Sequence, residues 1–102
     1  MPCFLLPPFQ GEIKPPAMRV VADFHAPGCT PCTMMTPIID RLAKKLRGSV
    51  CCAKIDARQE CELAAAYGVS SVPTIVVFKS GSEVKRFSGA MDIKSLTAWI
   101  ME

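Results

Sequence analysis

The 102-residue chain has no apolar run near the ~18 residues needed to cross a bilayer. Its first residues, Met1-Pro2-Cys3-Phe4-Leu5-Leu6-Pro7-Pro8, carry no basic head, and their apolar stretch is shorter than the ~7 residues of a secretory signal. Those two absences predict a soluble, cytoplasmic protein of a reducing compartment with no membrane partner. Charge of one sign is also scarce, with a net value of only +3. Lys44-Lys45 is the one mid-chain cluster, and a solvated helix face explains it without invoking nucleic acid, which wants a longer basic stripe. Internal repeats and low-complexity segments are missing. Histidine is nearly so, since His25 stands alone, and no second Cys-x-x-Cys accompanies Cys29 and Cys32. Zinc would need further ligands of that kind, so no metal or cofactor is expected. A zinc site drawing on Cys29, Cys32 and Cys61 stays open as an alternative.

What is present supports one folded domain over residues 1–102. Half of the residues are apolar, enough for a core without disulfide staples. Six cysteines are the outstanding compositional fact. Cys51 and Cys52 are adjacent, which disfavours a bond between them and gives them opposite sides of a strand. The cysteines therefore need separate explanations. Residues 1–17 are proline-rich, and allow a short strand over 3–6 and a brief helix over 9–14 that Pro15-Pro16 would end.

Residues 18–24 are almost continuously apolar and β-branched, as in a strand covered on both faces. Ala26-Pro27-Gly28 breaks that strand. Met35, Ile38, Ile39, Leu42 and Leu46 then share one face of a helix opened by Cys29, kinked at Pro37 and capped at Gly48. Residues 50–55 form a second buried strand, and 60–67 a short helix ending at Gly68. Residues 74–78 and 83–87 form two more strands around a Ser80-Gly81 turn. Asp92 caps a last helix whose Ile93, Leu96 and Ile100 share a face. The β-α-β-α-β order calls for parallel strands with helical crossovers, to which a hairpin adds antiparallel pairing.

The stretch Cys29-Thr30-Pro31-Cys32 sits where a buried strand gives way to an amphipathic helix. Unpaired N–H groups and the helix dipole at that point favour a thiolate on Cys29. Moving a thiol pKa from about 8.5 to about 7 takes roughly 2 kcal/mol, within reach of a helix terminus and one or two hydrogen bonds. Cys32, one turn further in, should be the more buried thiol and act second. Asp23 lies mid-strand, six residues before Cys29, where no polar alternation would expose it. It reads as a buried carboxyl with raised pKa that handles the Cys32 proton, with Lys54 of the next strand as a partner within reach. Val72-Pro73 just ahead of a buried strand implies a turn or a cis bond.

With these pieces in order, the chain resembles a thioredoxin from Met18 onward, and from Cys3 by extension. Asp23-Phe24 ahead of Cys29-Thr30-Pro31-Cys32, Pro37, Ala53-Lys54, Tyr67-Gly68-Val69, Val72-Pro73-Thr74, Gly81 and Gly89-Ala90 carry the resemblance. It implies a thioredoxin fold, a central mixed β-sheet flanked by α-helices as a three-layer α/β sandwich. It also implies a redox-active Cys29–Cys32 disulfide and a client groove lined by Gly28, Thr30, Pro31, Val72, Pro73 and Gly89. The implied activity is monomeric electron transport, reducing disulfides of client proteins and recycled by a thioredoxin reductase. A binding module that keeps the fold only as a scaffold is the alternative of another class.

Three positions depart from the family pattern. Gly28 and His25 stand where the family usually has tryptophans, and Thr30 replaces a glycine. The loss of two large rings should flatten the surface around Cys29, and the Thr30 hydroxyl has a cysteine sulfur within reach. His25 reads as a packed substitute for a ring rather than as a titrating switch. Cys61 reads as an ordinary surface cysteine.

Overall fold

The computed structural model describes residues 19–79 and 82–102. The strand and helix expected over 3–6 and 9–14, Cys3, Met18 and the Ser80-Gly81 turn lie outside the described residues. In chain order the elements are β1 (Arg19–His25), α1 (Thr30–Lys45), β2 (Val50–Asp56), α2 (Cys61–Ala66), β3 (Thr74–Lys79), β4 (Ser82–Ser88) and α3 (Ile93–Met101). The strands form one sheet in the order β2-β1-β3-β4.

The two inner strands carry the apolar runs. Val20, Val21, Ala22 and Phe24 of β1, and Ile75, Val76, Val77 and Phe78 of β3, are all essentially inaccessible. Such strands pack on both faces, and the side-chain alternation sorts them into two cores. Val20, Ala22, Phe24, Cys51, Val76 and Phe78 meet Ala64 of α2 on one face. Val21, Ile75 and Val77 meet Met35, Ile39 and Leu42 of α1 and Leu96 and Ile100 of α3 on the other. The expected three-layer sandwich is therefore present. Each fully buried Leu or Ile contributes about 2 kcal/mol relative to an exposed position. Cys51 and Cys52 do face opposite ways, one toward each core.

Strand β1 runs parallel to β2 and antiparallel to β3. The second crossover expected from the β-α-β-α-β order does not form. At six residues, α2 spans only about 9 Å, too little to return along the sheet. The chain therefore stays at the end where β2 finishes, and β3 starts there and runs back. Thr74, its first residue, pairs with Phe24 near the end of β1. This reversal brings residues 67–73 to the same end of the sheet as Cys29.

α1 is a single helix that contains Pro37, with Leu46 as its C-cap. Gly48 follows in the turn at φ +91. Asp92 caps α3 by accepting from the Ser95 N–H at 3.1 Å. Strand β4 joins the sheet through an irregularity. Val77 pairs with Lys85 but Phe78 with Glu83, so Val84 is an extra residue in the ladder. Lys85 reaches the α3 side of the sheet, where its Nζ donates to the Trp99 carbonyl at 2.8 Å and lies over the indole ring.

Candidate functional site

Where β1 ends, Ala26, Pro27 and Gly28 turn the chain into α1. Gly28 adopts φ +77, and nothing lies within 4 Å of where a Cβ would sit. The position thus favours glycine for its backbone and not for lack of space. Cys29 is the N-cap of α1, with extended backbone, and its Sγ accepts from the Cys32 N–H at 3.2 Å. Its carbonyl accepts from the Thr33 N–H at 3.1 Å. Pro31 occupies the first turn, where a missing N–H costs nothing. Cys29 and Cys32 are joined by a disulfide, with Cα atoms 5.2 Å apart. Cys32 is 3% exposed whereas Cys29 is only half-buried. An incoming sulfur therefore meets Cys29 first.

Asp23, two residues before the end of β1, is fully buried, with neither carboxylate oxygen holding a hydrogen-bond partner. Burial pushes its pKa up from 3.8 to about 6, opposed by the charges of His25 and Lys54 and reinforced by Asp40. Lys54 stands beside Asp23 in the β1–β2 register, yet its Nζ pairs with Asp40 of α1 at 2.5 Å. The direct Asp23–Lys54 partnership expected from sequence is thus replaced by a Lys54–Asp40 pair. Both members of that pair are well exposed, so they keep hydration that an ammonium drawn down to Asp23 would lose. Cys52 shares this neighbourhood. Its own burial, with Asp23 and Asp40 adding to the effect, pushes its thiol up to about 12 and makes it inert.

Across from the dithiol turn, the Val72–Pro73 peptide bond is cis, which agrees with the expectation for this proline. Pro73 is buried and Val72 half-buried. The Gly89 N–H donates to the Pro73 carbonyl at 2.9 Å, and the Thr74 hydroxyl donates to the Ser71 carbonyl at 2.7 Å. Gly28, Thr30 and Pro31 are exposed. The hydrogen bond expected from the Thr30 hydroxyl to a cysteine sulfur is absent among the described residues, and the Cys32 amide fills that role. A groove of about 280 Å³ runs from Val72 along Val69 and Ala64 to Ala57, with Cys61 at its margin. Cys61 is an exposed free thiol. Among the described residues no three His, Cys, Asp or Glu side chains converge.

Sequence reasoning missed Asp40, because its pairing with Lys54 depends on how α1 lies over β2. It also missed Arg86, which donates to the carbonyls of Tyr67 and Gly68 at 2.6 and 3.3 Å.

A disulfide-bonded Cys-x-x-Cys at a helix start, facing a cis-proline loop on the same sheet end, defines a thiol–disulfide exchange protein. Comparison with known proteins agrees. The Thioredoxin family model matches residues 6–102. The thioredoxin of Rickettsia felis is 37% identical over 92 residues, covering 90% of this chain and 88% of its own. The chloroplastic M-type thioredoxin of Zea mays is 38% identical over 81 residues, covering 79% of this chain but 48% of its own length. The chain thus spans about half of that relative and most of the bacterial one. Among solved structures, Fasciola hepatica thioredoxin has a TM-score of 0.76 at 41% identity, covering 83% of this chain and 80% of that one. A mutant thioredoxin from Halobacterium salinarum NRC-1 has a TM-score of 0.75 at 40% identity, covering 80% and 71%. The chain belongs to the thioredoxin family, and its Cys29–Cys32 pair makes it a thiol–disulfide oxidoreductase.

Proposed function

We propose that this protein is a protein-disulfide reductant in which Cys29 attacks and Cys32 resolves. The carrying observation is the asymmetry of the pair, with Cys29 half-buried at the head of α1 and Cys32 3% exposed behind it. In the reduced protein, the Cys29 thiolate attacks one sulfur of a client disulfide, and the other client sulfur leaves as a thiolate. Cys32 gives its proton to the Asp23 carboxylate and attacks Cys29 Sγ, releasing the second client thiolate. Two electrons pass to the client and the Cys29–Cys32 disulfide remains. With a pKa near 6, Asp23 is mostly ionised at neutral pH yet basic enough to take that proton. Lys54, from beside it, opposes part of the upward push.

Gly28, Thr30, Pro31, Val72, Pro73 and Gly89 form the client face, and the groove leading from Val72 offers apolar side chains a seat. Recycling by a thioredoxin reductase, action as a single cytoplasmic domain and a monomeric state complete the reading. It involves neither nucleic acid nor a membrane, and no helix among the described residues is long and apolar enough to span one. The test is insulin reduction driven by dithiothreitol. Wild-type protein should accelerate it and Cys29→Ser should not. Undiminished turnover in Cys29→Ser would sink the assignment and favour the scaffold alternative.

A further inference from the structure

The loop from Tyr67 to Pro73, which presents Val72 to the client face, leaves the end of α2 where the Tyr67, Gly68 and Val69 N–H groups close onto the carbonyls of Leu63, Ala65 and Ala64. The carbonyls of Tyr67 and Gly68 lie just beyond those bonds, and α2 has no basic residue in its last turn to reach them. The missing cation comes from another element. Arg86 of β4 donates from Nη2 to the Tyr67 carbonyl at 2.6 Å and from Nη1 to the Gly68 carbonyl at 3.3 Å. The same guanidinium is held from behind by Glu83, through Nε to Oε2 at 2.7 Å and Nη2 to Oε1 at 2.8 Å.

This fork depends on the irregularity in β4. In a regular strand, residues three apart point to opposite faces. The extra residue, Val84, reverses that parity, so Glu83 opposite Phe78 and Arg86 opposite Val76 share the α2 face. A two-toothed pair thus fixes both the position and the plane of the guanidinium. From Gly68 the chain runs to Ser71 and Pro73, where Thr74 and the Gly89 amide hold its far end. Arg86 is the side-chain tie at the near end.

We propose that Arg86, braced by Glu83, is a positioning residue for client binding that sets where the Val72-Pro73 loop stands relative to Cys29. The proposal rests on the reading of that loop as client face. It touches neither sulfur, so it acts on recognition and leaves the chemistry of the pair alone.

The test compares wild type, Arg86→Ala, Arg86→Lys and Glu83→Gln. Each is assayed for kcat and KM on insulin, for its rate with the small disulfide dithiobis(nitrobenzoate), and for its Cys29–Cys32 potential against glutathione. Arg86→Ala should raise KM for insulin about threefold, as loss of a partly exposed charge-assisted tie allows. Its kcat, small-disulfide rate and potential should match wild type. Arg86→Lys should recover only part of the loss, because an ammonium cannot make the planar fork. Glu83→Gln should move KM the same way by less, and it alone decides the question if Arg86→Ala does not fold. An unchanged KM, or a loss shared equally by the small disulfide and the potential, overturns the proposal. Wild-type protein inactive on insulin would instead remove the client reading and the proposal with it.

Discussion

The two sides of the site are built by opposite means. On one side, the dithiol turn follows a strand whose five central residues are buried, Asp23 among them, and leads into the head of a 16-residue helix. On the other, the Tyr67–Pro73 loop follows a helix of six residues and is held by the exposed Arg86 at its near end and by Thr74 and the Gly89 N–H at its far end. The first side is anchored from below, because Phe24 before the turn and Cys32 after it are buried in the core. At its near end the second is held by bonds that one exposed substitution, at Arg86, can remove. On the proposed reading, electron transfer depends on the deep side, and the choice of client on the shallow one.

The largest effect should come from the deep side. In Cys32→Ser the accessible Cys29 can still attack, but nothing resolves the product. A mixed disulfide with the client should accumulate and turnover should stop, which intact-mass measurement would show. Finding no adduct would mean that the exposure difference between the two sulfurs does not set their order.

Asp23→Asn sharpens the same side through pH. Below about pH 3 the carboxyl is protonated in folded and unfolded chains alike, and contributes no difference. As pH rises from 3.8 toward 6, the unfolded chain releases its proton first, so the folded state loses stability. The penalty is complete above about pH 6 and amounts to about 3 kcal/mol. Asparagine mimics the protonated carboxyl. Denaturant unfolding of Asp23→Asn should therefore show a gain of about that size at neutral pH and almost none near pH 3. Insulin reduction should slow in the same variant, and a gain that persisted in acid would mean burial is not the cause.

Gly28→Ala is the smallest probe and lies between the two sides. With open space around the missing Cβ, the cost is that of a left-handed backbone alone, about 1 kcal/mol. A neutral result in equilibrium unfolding would show that the turn relaxes freely. Restoring the family's tryptophan there would meet the same backbone cost.

Sequence made the deep side legible because its signals are local. An unbroken apolar run around Asp23 implies burial, and a strand-to-helix junction fixes what Cys29 sees. Pro73 announced its special geometry by standing before a strand that could not use it. The shallow side depends on relations between elements. The direction of β3 follows from the length of α2, Lys54 turns to Asp40 because of how α1 crosses β2, and Arg86 faces α2 only because Val84 shifts the count. None of these has a period or a motif in the chain.

The extra residue in β4 has a second consequence, for how copies of the protein meet. Among the described residues β4 is an outer strand of the sheet. A straight outer strand offers a row of free N–H and C=O groups on which another chain can lay itself down. The bulge at Val84 interrupts that row, and the charged Glu83, Lys85 and Arg86 flank the break. The sheet therefore ends in an edge ill-suited to growth, which guards the protein against being templated by another extended chain.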